Sequence, residues 1–297
     1  MATYSIKDIE QLTGIRSHTL RIWERRYELL LSKRTETNIR FYDEEDLKYL
    51  LQTALLLNGG YRISKISQMG FQERANCIEK ISSQSEGGNY EIFIHKLILS
   101  MIDMNEVLFN NVIQECFALN GVEFSMFHIL YPFLERIGIM WIVGSANPAN
   151  EHFITNLIRQ KLIAQIDKLP IPSPRNSPTY LLFLPEGELH EISLLFLNYM
   201  LRARGNYTLY LGQNTPVREA KEILTHYTAK YIFTIFTSSS PRKAQEMLND
   251  LQELSNLYTI MVAGRVILDF PQEQFPSLNF LYSAADVRTW LELQNRK

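Results

Sequence analysis

Glu188 and His190 stand one residue apart where a chain of this pattern would hold a ligand. The apolar run from Tyr180 to Leu184 predicts a strand and gives way to Pro185, Glu186 and Gly187. A helical stripe follows (Ile192, Leu195, Phe196, Tyr199, Met200), stopped by Gly205, and Tyr207 to Leu211 predicts a second strand. Strand, loop, helix and strand in that order make a parallel crossover, and in such sheets ligands sit on the loops beyond the carboxyl ends of the strands. A histidine on that loop can ligate a metal through one ring nitrogen while a nearby carboxylate holds the other. Alone, the pair is a weak signal, because polar loop residues are usually just solvated.

A second constellation lies near the N-terminus. Ser5 and Asp8 form a helix N-cap pair ahead of the buried stripe Ile6, Ile9 and Leu12. Thr13-Gly14 breaks the helix, Ile15 packs under the turn and Ser17 caps a second helix, giving a helix-turn-helix. That second helix buries Leu20 and Trp23 and turns Thr19, Arg21, Arg25 and Arg26 outward. Lys33, Arg34 and Arg40 continue the positive charge between two short extended runs, the pattern of a wing whose arginines grip phosphates. Arginines on one helix usually form a solvated face. Here the charge is sorted, with cations from Arg16 to Arg40 and then Asp43 to Asp46 at the next helix start, where acids suit the dipole.

The run Thr19-Leu20-Arg21, Trp23-Glu24, Arg26-Tyr27, followed by Arg34-Thr35, Arg40 and Tyr42, resembles the winged-helix DNA-binding domain of MerR-type transcription regulators. The resemblance covers about the first 75 residues and adds Tyr27 and Tyr42 to the DNA-contacting set. It departs in the wing, at Glu28, Ser32 and Asn38-Ile39, where Asn38 can take a positive φ.

These sites need elements to hold them. A chain of 297 residues, 46% hydrophobic, implies two or three domains with real cores. A net charge of −2 excludes a globally basic nucleic-acid binder, so DNA contact must be local. Cys77 and Cys116 form no disulfide or metal pattern, and no basic-then-apolar leader or membrane-length run occurs, so a soluble cytoplasmic protein is expected.

The expected fold class is multidomain α and α/β: a winged helix-turn-helix (1–80), a flexible linker (81–89), a four-helix bundle (90–168), a Pro-rich connector (169–178) and a doubly wound, flavodoxin-like parallel sheet (179–297). Bundle helices are predicted at 90–101, 104–119, 123–142 and 149–167, and strands at 179–184, 207–211, 231–236, 259–263 and 279–282. No long dimerisation helix follows the winged helix, so assembly into a dimer or tetramer is expected from the C-terminal half.

Trp141 closes the third bundle helix, and after nine residues Glu151-His152 opens the fourth. On their own these read as a bundle aromatic and a helix-start acid. A helical bundle before a parallel sheet with Glu-x-His on its first loop resembles the cobalamin-binding module of the methionine synthase type. Trp, nine residues, Glu-His is similar to the cobalamin-dependent MerR-type photoreceptor repressors (the CarH and LitR group). The resemblance implies that Trp141 covers the adenosyl face of a corrin, with Glu151 and His152 close by. It implies His190 as lower axial ligand to cobalt, oriented by Glu188, with Ser193, Thr234, Ala263 and Gly264 along the nucleotide tail. Ser193 and Ala263 stand where the family has glycine, and Thr234-x-Phe236 where it has Ser-x-Leu.

The implied function is a DNA-binding regulator, a repressor by default and not an enzyme, that assembles with adenosylcobalamin on an operator and comes apart when light removes the adenosyl group. The alternative keeps DNA binding and makes the sheet domain a cofactor-free assembly module. A corrinoid methyl carrier or mutase subunit is disfavoured, because nothing resembles a substrate domain.

Overall fold

The computed structural model describes residues 3–27, 29–30, 33–34, 38–84, 90–142, 148–175 and 177–294, without the side chains of 75, 79–84 and 139–142. The chain forms two compact units, Met1–Thr155 and Asn156–Lys297.

The first unit opens with α1 (Ile6–Thr13), started by a reciprocal capping box: Ser5 accepts from the Asp8 amide and Asp8 from the Ser5 amide. Gly14, at φ 72°, ends it in the left-handed conformation that only glycine adopts without cost. α2 (Ser17–Tyr27) follows. Ser17 is its first residue rather than its cap. The carboxylate of Glu10 accepts both the Ser17 amide and its hydroxyl, so the first helix satisfies an orphan donor of the second. β1 (Lys33–Arg34) and β2 (Arg40–Phe41) pair antiparallel as the wing, Lys33 opposite Phe41 and Arg34 opposite Arg40. Asn38 has φ 64°, the positive value its side chain tolerates.

α3 (Glu44–Asn58), capped by Asp43, buries Leu47, Leu50, Leu51, Leu55 and Leu56. The short α4 (Ile63–Ile66) and then α5 (Phe71–Gln84) follow. The expected linker is thus corrected at its start: Ile81 to Gln84 continue α5, since extending an existing helix fixes one residue per hydrogen bond gained. Residues 85–89 lie outside the described set.

α6 (Tyr90–Ile102) is buried from Ile92 to Ile102 and packs on α3 as well as on α7 (Glu106–Ser125) and α8 (Tyr131–Ile142). The break expected at Asn120-Gly121 is present as a non-helical Gly121 (φ 76°, ψ 165°), and a π-turn, Met126–Leu130, leads into α8. Lys48 of α3 pairs with Asp103 beyond α6 at 2.8 Å, so helices of the winged-helix segment and of the bundle belong to one compact unit. α9 (Pro148–Asp167) crosses the division between units.

The second unit is a doubly wound sheet. β3 (Thr179–Pro185), α10 (Ile192–Ala203), β4 (Tyr207–Thr215), α11 (Val217–His226), β5 (Tyr231–Ile235), α12 (Pro241–Gln252), β6 (Thr259–Ala263), β7 (Asn279–Leu281) and α13 (Ala284–Gln294) alternate. All pairings are parallel, in the order β4-β3-β5-β6-β7. β3 and β5 are buried along their whole length, as parallel strands covered on both faces must be. Leu181, Phe183, Ile232, Phe236, Ile260 and Val262 pack in one core with residues of α11 and α12. Tyr180 and Tyr231 stack at 4.8 Å with Trp290 of α13 edge-on to both. β4 runs to Thr215, past the expected end at 211, because bulges at its far end carry pairing through Gly212 (φ 82°) and Asn214 (φ 57°).

Candidate functional sites

The recognition helix presents its cations. Arg16, Arg21, Arg25 and Arg26 are exposed, Thr19 and Tyr27 are half-buried, and Leu20 is fully buried on the inner side. Trp23, expected in the core, is only half-buried. Arg34 reaches the Oδ1 of Asn38 at 2.6 Å and stays exposed on the wing.

Tyr42 and Arg40 both meet Glu24 of α2. Tyr42 is 0% exposed and its hydroxyl donates to Glu24 at 2.7 Å, so this side chain belongs to the interior and not to a DNA-facing surface. Arg40 lies 3.5 Å from the same Glu24 carboxylate. Glu24, which the sequence offered only as a motif letter, therefore docks the wing onto α2. An acid inside an otherwise basic helix was its one signal. Lys33 is held by Asp43 and Asp46 at the start of α3.

In the second unit the sheet order reverses between β3 and β5, and the loops after those two strands flank that switch point, where doubly wound sheets bind ligands. Glu188 joins the two loops. It is fully buried and accepts the amides of Thr237 and Ser238 (both 2.7 Å), the Ser238 hydroxyl (3.2 Å), and the amide (3.2 Å) and Nδ1 (2.5 Å) of His190. Burial alone would raise its pKa. The hydrogen bonds from His190, Ser238 and Thr237 outweigh it and lower the carboxyl to about 2. An ionised carboxylate only accepts, so Nδ1 of His190 carries a proton, and Nε2 is the ring nitrogen left for another partner. The His190 side chain is 58% exposed. Asn214 closes the loop from the far side: its Oδ1 accepts the Gly187 amide (2.8 Å) and its amide donates to the Glu188 carbonyl (3.2 Å).

The remaining expected tail residues lie nearby in sequence order. Ser193 is half-buried in the first turn of α10. Thr234 on β5 is 0% exposed, and its hydroxyl has no hydrogen-bond partner among the described residues. Ala263 ends β6, and Gly264 follows at φ 108°, where a Cβ would stand 2.3 Å from the Phe236 carbonyl oxygen. In the first unit, Glu151 and His152 are brought together, carboxylate to Nδ1 at 3.1 Å. Trp141 lies on α8, and its side chain is outside the described residues. Among the described residues no cluster of three or more His, Cys, Asp or Glu could hold a metal ion.

A helix-turn-helix with a wing, set before a helical bundle and a parallel α/β sheet, defines a regulator with an appended ligand-binding type of fold. Residues 4–70 match the MerR HTH family regulatory protein model, and the chain belongs to that family. It is 27% identical over 221 residues to the HTH-type transcriptional repressor CarH of Myxococcus xanthus, covering 73% of each chain. It is 32% identical over 98 residues to the uncharacterized HTH-type transcriptional regulator YyaN of Bacillus subtilis, covering 33% of this chain and 70% of that one. Among solved structures, the monomethylamine corrinoid protein of Methanosarcina barkeri superposes with a TM-score of 0.56 at 16% identity, over 69% of this chain and 100% of that one, a likeness of fold. The protein is thus a MerR-family transcriptional regulator carrying a corrinoid-protein type of fold. No helix among the described residues is long and apolar enough to cross a membrane.

Proposed function

We propose that this is a DNA-binding repressor of the cytoplasm, controlled by adenosylcobalamin, and through it by light, by way of cofactor-dependent oligomerisation of the C-terminal half. The observation that carries the reading is the buried Glu188 carboxylate holding an exposed His190 by Nδ1 at the switch point of the sheet. The other residues fit a corrinoid with its nucleotide tail inserted. The orphaned Thr234 hydroxyl is a buried polar atom in want of a partner. When bound, the corrinoid supplies a cobalt centre with a photolabile cobalt–carbon bond.

The protein's own residues do the rest. His190 would hold the cobalt through Nε2, with Glu188 fixing the orientation of its ring. Thr234 gives its hydroxyl to the tail, with Ser193, Ala263 and Gly264 lining it. Trp141, Glu151 and His152 serve the opposite, adenosyl-bearing face. Arg16, Thr19, Arg21, Arg25, Arg26, Tyr27, Arg34 and Arg40 face the operator, and segments 1–80, 90–168 and 179–297 serve DNA contact, cap and cofactor fold in turn.

A second reading has one observation in its favour. Phe236 is fully buried in the α11/α12-side core beside Thr234, where the family carries a smaller Leu, and Ala263 and Ser193 each add atoms where glycine is usual. On that reading the sheet domain binds no cofactor and serves assembly.

The test is an absorption spectrum of the purified protein after dark incubation with adenosylcobalamin and desalting, before and after green light. A retained corrin spectrum that changes on illumination is expected, and His190→Ala should lower retention or alter the cobalt bands. A colourless protein would sink the cofactor reading.

A further inference from the structure

The residue after His190 is built into a second network that the functional reading does not use. Glu191 is the N-cap of α10, a place where an acid ordinarily turns its carboxylate onto the helix's own amides. Here it makes no such bond. Its Oε2 accepts from Nε of Arg159 on α9 at 2.5 Å, and its Oε1 accepts from the hydroxyl of Tyr210 on β4 at 2.9 Å. The residue is 8% exposed, so its carboxylate is largely shielded from water, while the Arg159 side chain remains 44% exposed. The Glu191 amide also donates to the Leu189 carbonyl at 2.9 Å, which tightens the backbone on both sides of His190.

We propose that Glu191, gripped by Arg159 and Tyr210, is the positioning residue for His190: it ties the histidine's backbone to α9 and β4 while Glu188 ties its ring. Two carboxylates separated by two residues divide the task. Glu188 sets which nitrogen carries the proton, and Glu191 sets where the imidazole stands. Because Arg159 belongs to α9, a shift of that part of the helix is felt at His190 through one ion pair. The consequence for cobalt rests on His190 being the axial ligand; the positioning itself does not.

The test uses the full chain without cofactor first. Glu191→Gln keeps the size and a Tyr210 acceptor but removes the charge that holds Arg159. Arg159→Met removes the α9 partner, and Arg159→Lys restores a cation. Lys221→Gln, which breaks an exposed pair with Glu253 on another face, is the control. The readouts are the ring NMR signals of His190, assigned with His190→Ala, and amide exchange across 188–192. Both disrupting variants should shift or broaden the His190 ring signals and speed exchange of the loop by about tenfold, with Arg159→Lys restoring the wild-type pattern. A ring signal identical to wild type in both variants overturns the proposal, whatever happens to thermal stability. A second arm adds adenosylcobalamin in the dark. If wild type retains none while the ring signals respond as expected, the cofactor reading fails and the positioning stands. If wild type and both variants retain it with one and the same spectrum while the ring signals respond as expected, the positioning stands and His190 is not the ligand to cobalt.

Discussion

A carboxylate with no exposure survives at Glu188 because five hydrogen bonds converge on it, three of them from Thr237 and Ser238, which the sheet brings to its switch point, and two from His190 on its own loop. That arrangement has a pH signature. The folded pKa of about 2 lies below the ordinary 4.5, so the stabilisation is complete above pH 4.5 and is lost as pH falls towards 2. It amounts to roughly 3 kcal/mol. Glu188→Gln should abolish this acid-limb dependence in urea titrations of the second unit, and it should cost about 1–3 kcal/mol at neutral pH because an amide NH₂ would face donors. His95 gives the opposite kind of residue. It is 1% exposed in α6, neither ring nitrogen has a hydrogen-bond partner among the described residues, and burial, helped by the charge of Arg136 and opposed by Glu91, lowers its pKa from 6.5 to about 4. The unfolded chain takes up the proton below pH 6.5 and the folded chain does not until pH 4, so stability should fall across that interval. His95→Leu should flatten the fall in thermal midpoints measured from pH 7 to 5; an unchanged slope would place its origin elsewhere.

At the scale of elements, the winged helix reads as a device in which Glu24 sets the wing against α2. Arg21→Ala, on the exposed face of α2, should weaken operator binding and reduce the slope of log affinity against log salt by about one, measured by fluorescence anisotropy at several salt concentrations. An unaltered slope would move the phosphate contact elsewhere. Gly264→Ala should cost more than about 1 kcal/mol in denaturant titrations, since it pairs a positive φ with a Cβ 2.3 Å from a backbone oxygen. Elements were legible where burial is one-sided or complete: β3, β5 and β6 stand where continuous apolar runs predict them, and the capping boxes at Ser5 and Asp43 mark helix starts. The misses have physical causes. Gly212 and Asn214 look like strand ends, yet bulges keep β4 paired beyond them. Tyr42 carries a family contact pattern, yet its ring is what the wing buries. Thr237 and Ser238 lie some fifty residues from the carboxylate they donate to, and only the parallel sheet brings them there.

For the whole molecule the question is how a local event at one loop changes affinity for DNA. The exposed cations of one α2 are few, and a net charge of −2 gives no general attraction to a polyanion, so on the proposed reading tight binding calls for several winged helices acting on one operator. Joining them through the C-terminal halves would raise affinity by about 10²–10⁴ without any new contact to DNA. Dark adenosylcobalamin should therefore move the protein to a larger species on size exclusion and tighten operator binding together, and green light should reverse both. Trp141→Ala should loosen adenosylcobalamin more than hydroxocobalamin and uncouple the oligomer from the cofactor while leaving the salt slope per winged helix unchanged. If operator affinity and elution volume are the same with and without the corrinoid, in light and in dark, assembly is constitutive. The sheet domain is then an oligomerisation module, and the core packing of Phe236, with Ser193 and Ala263 in place of glycines, is free of any need to admit a nucleotide tail.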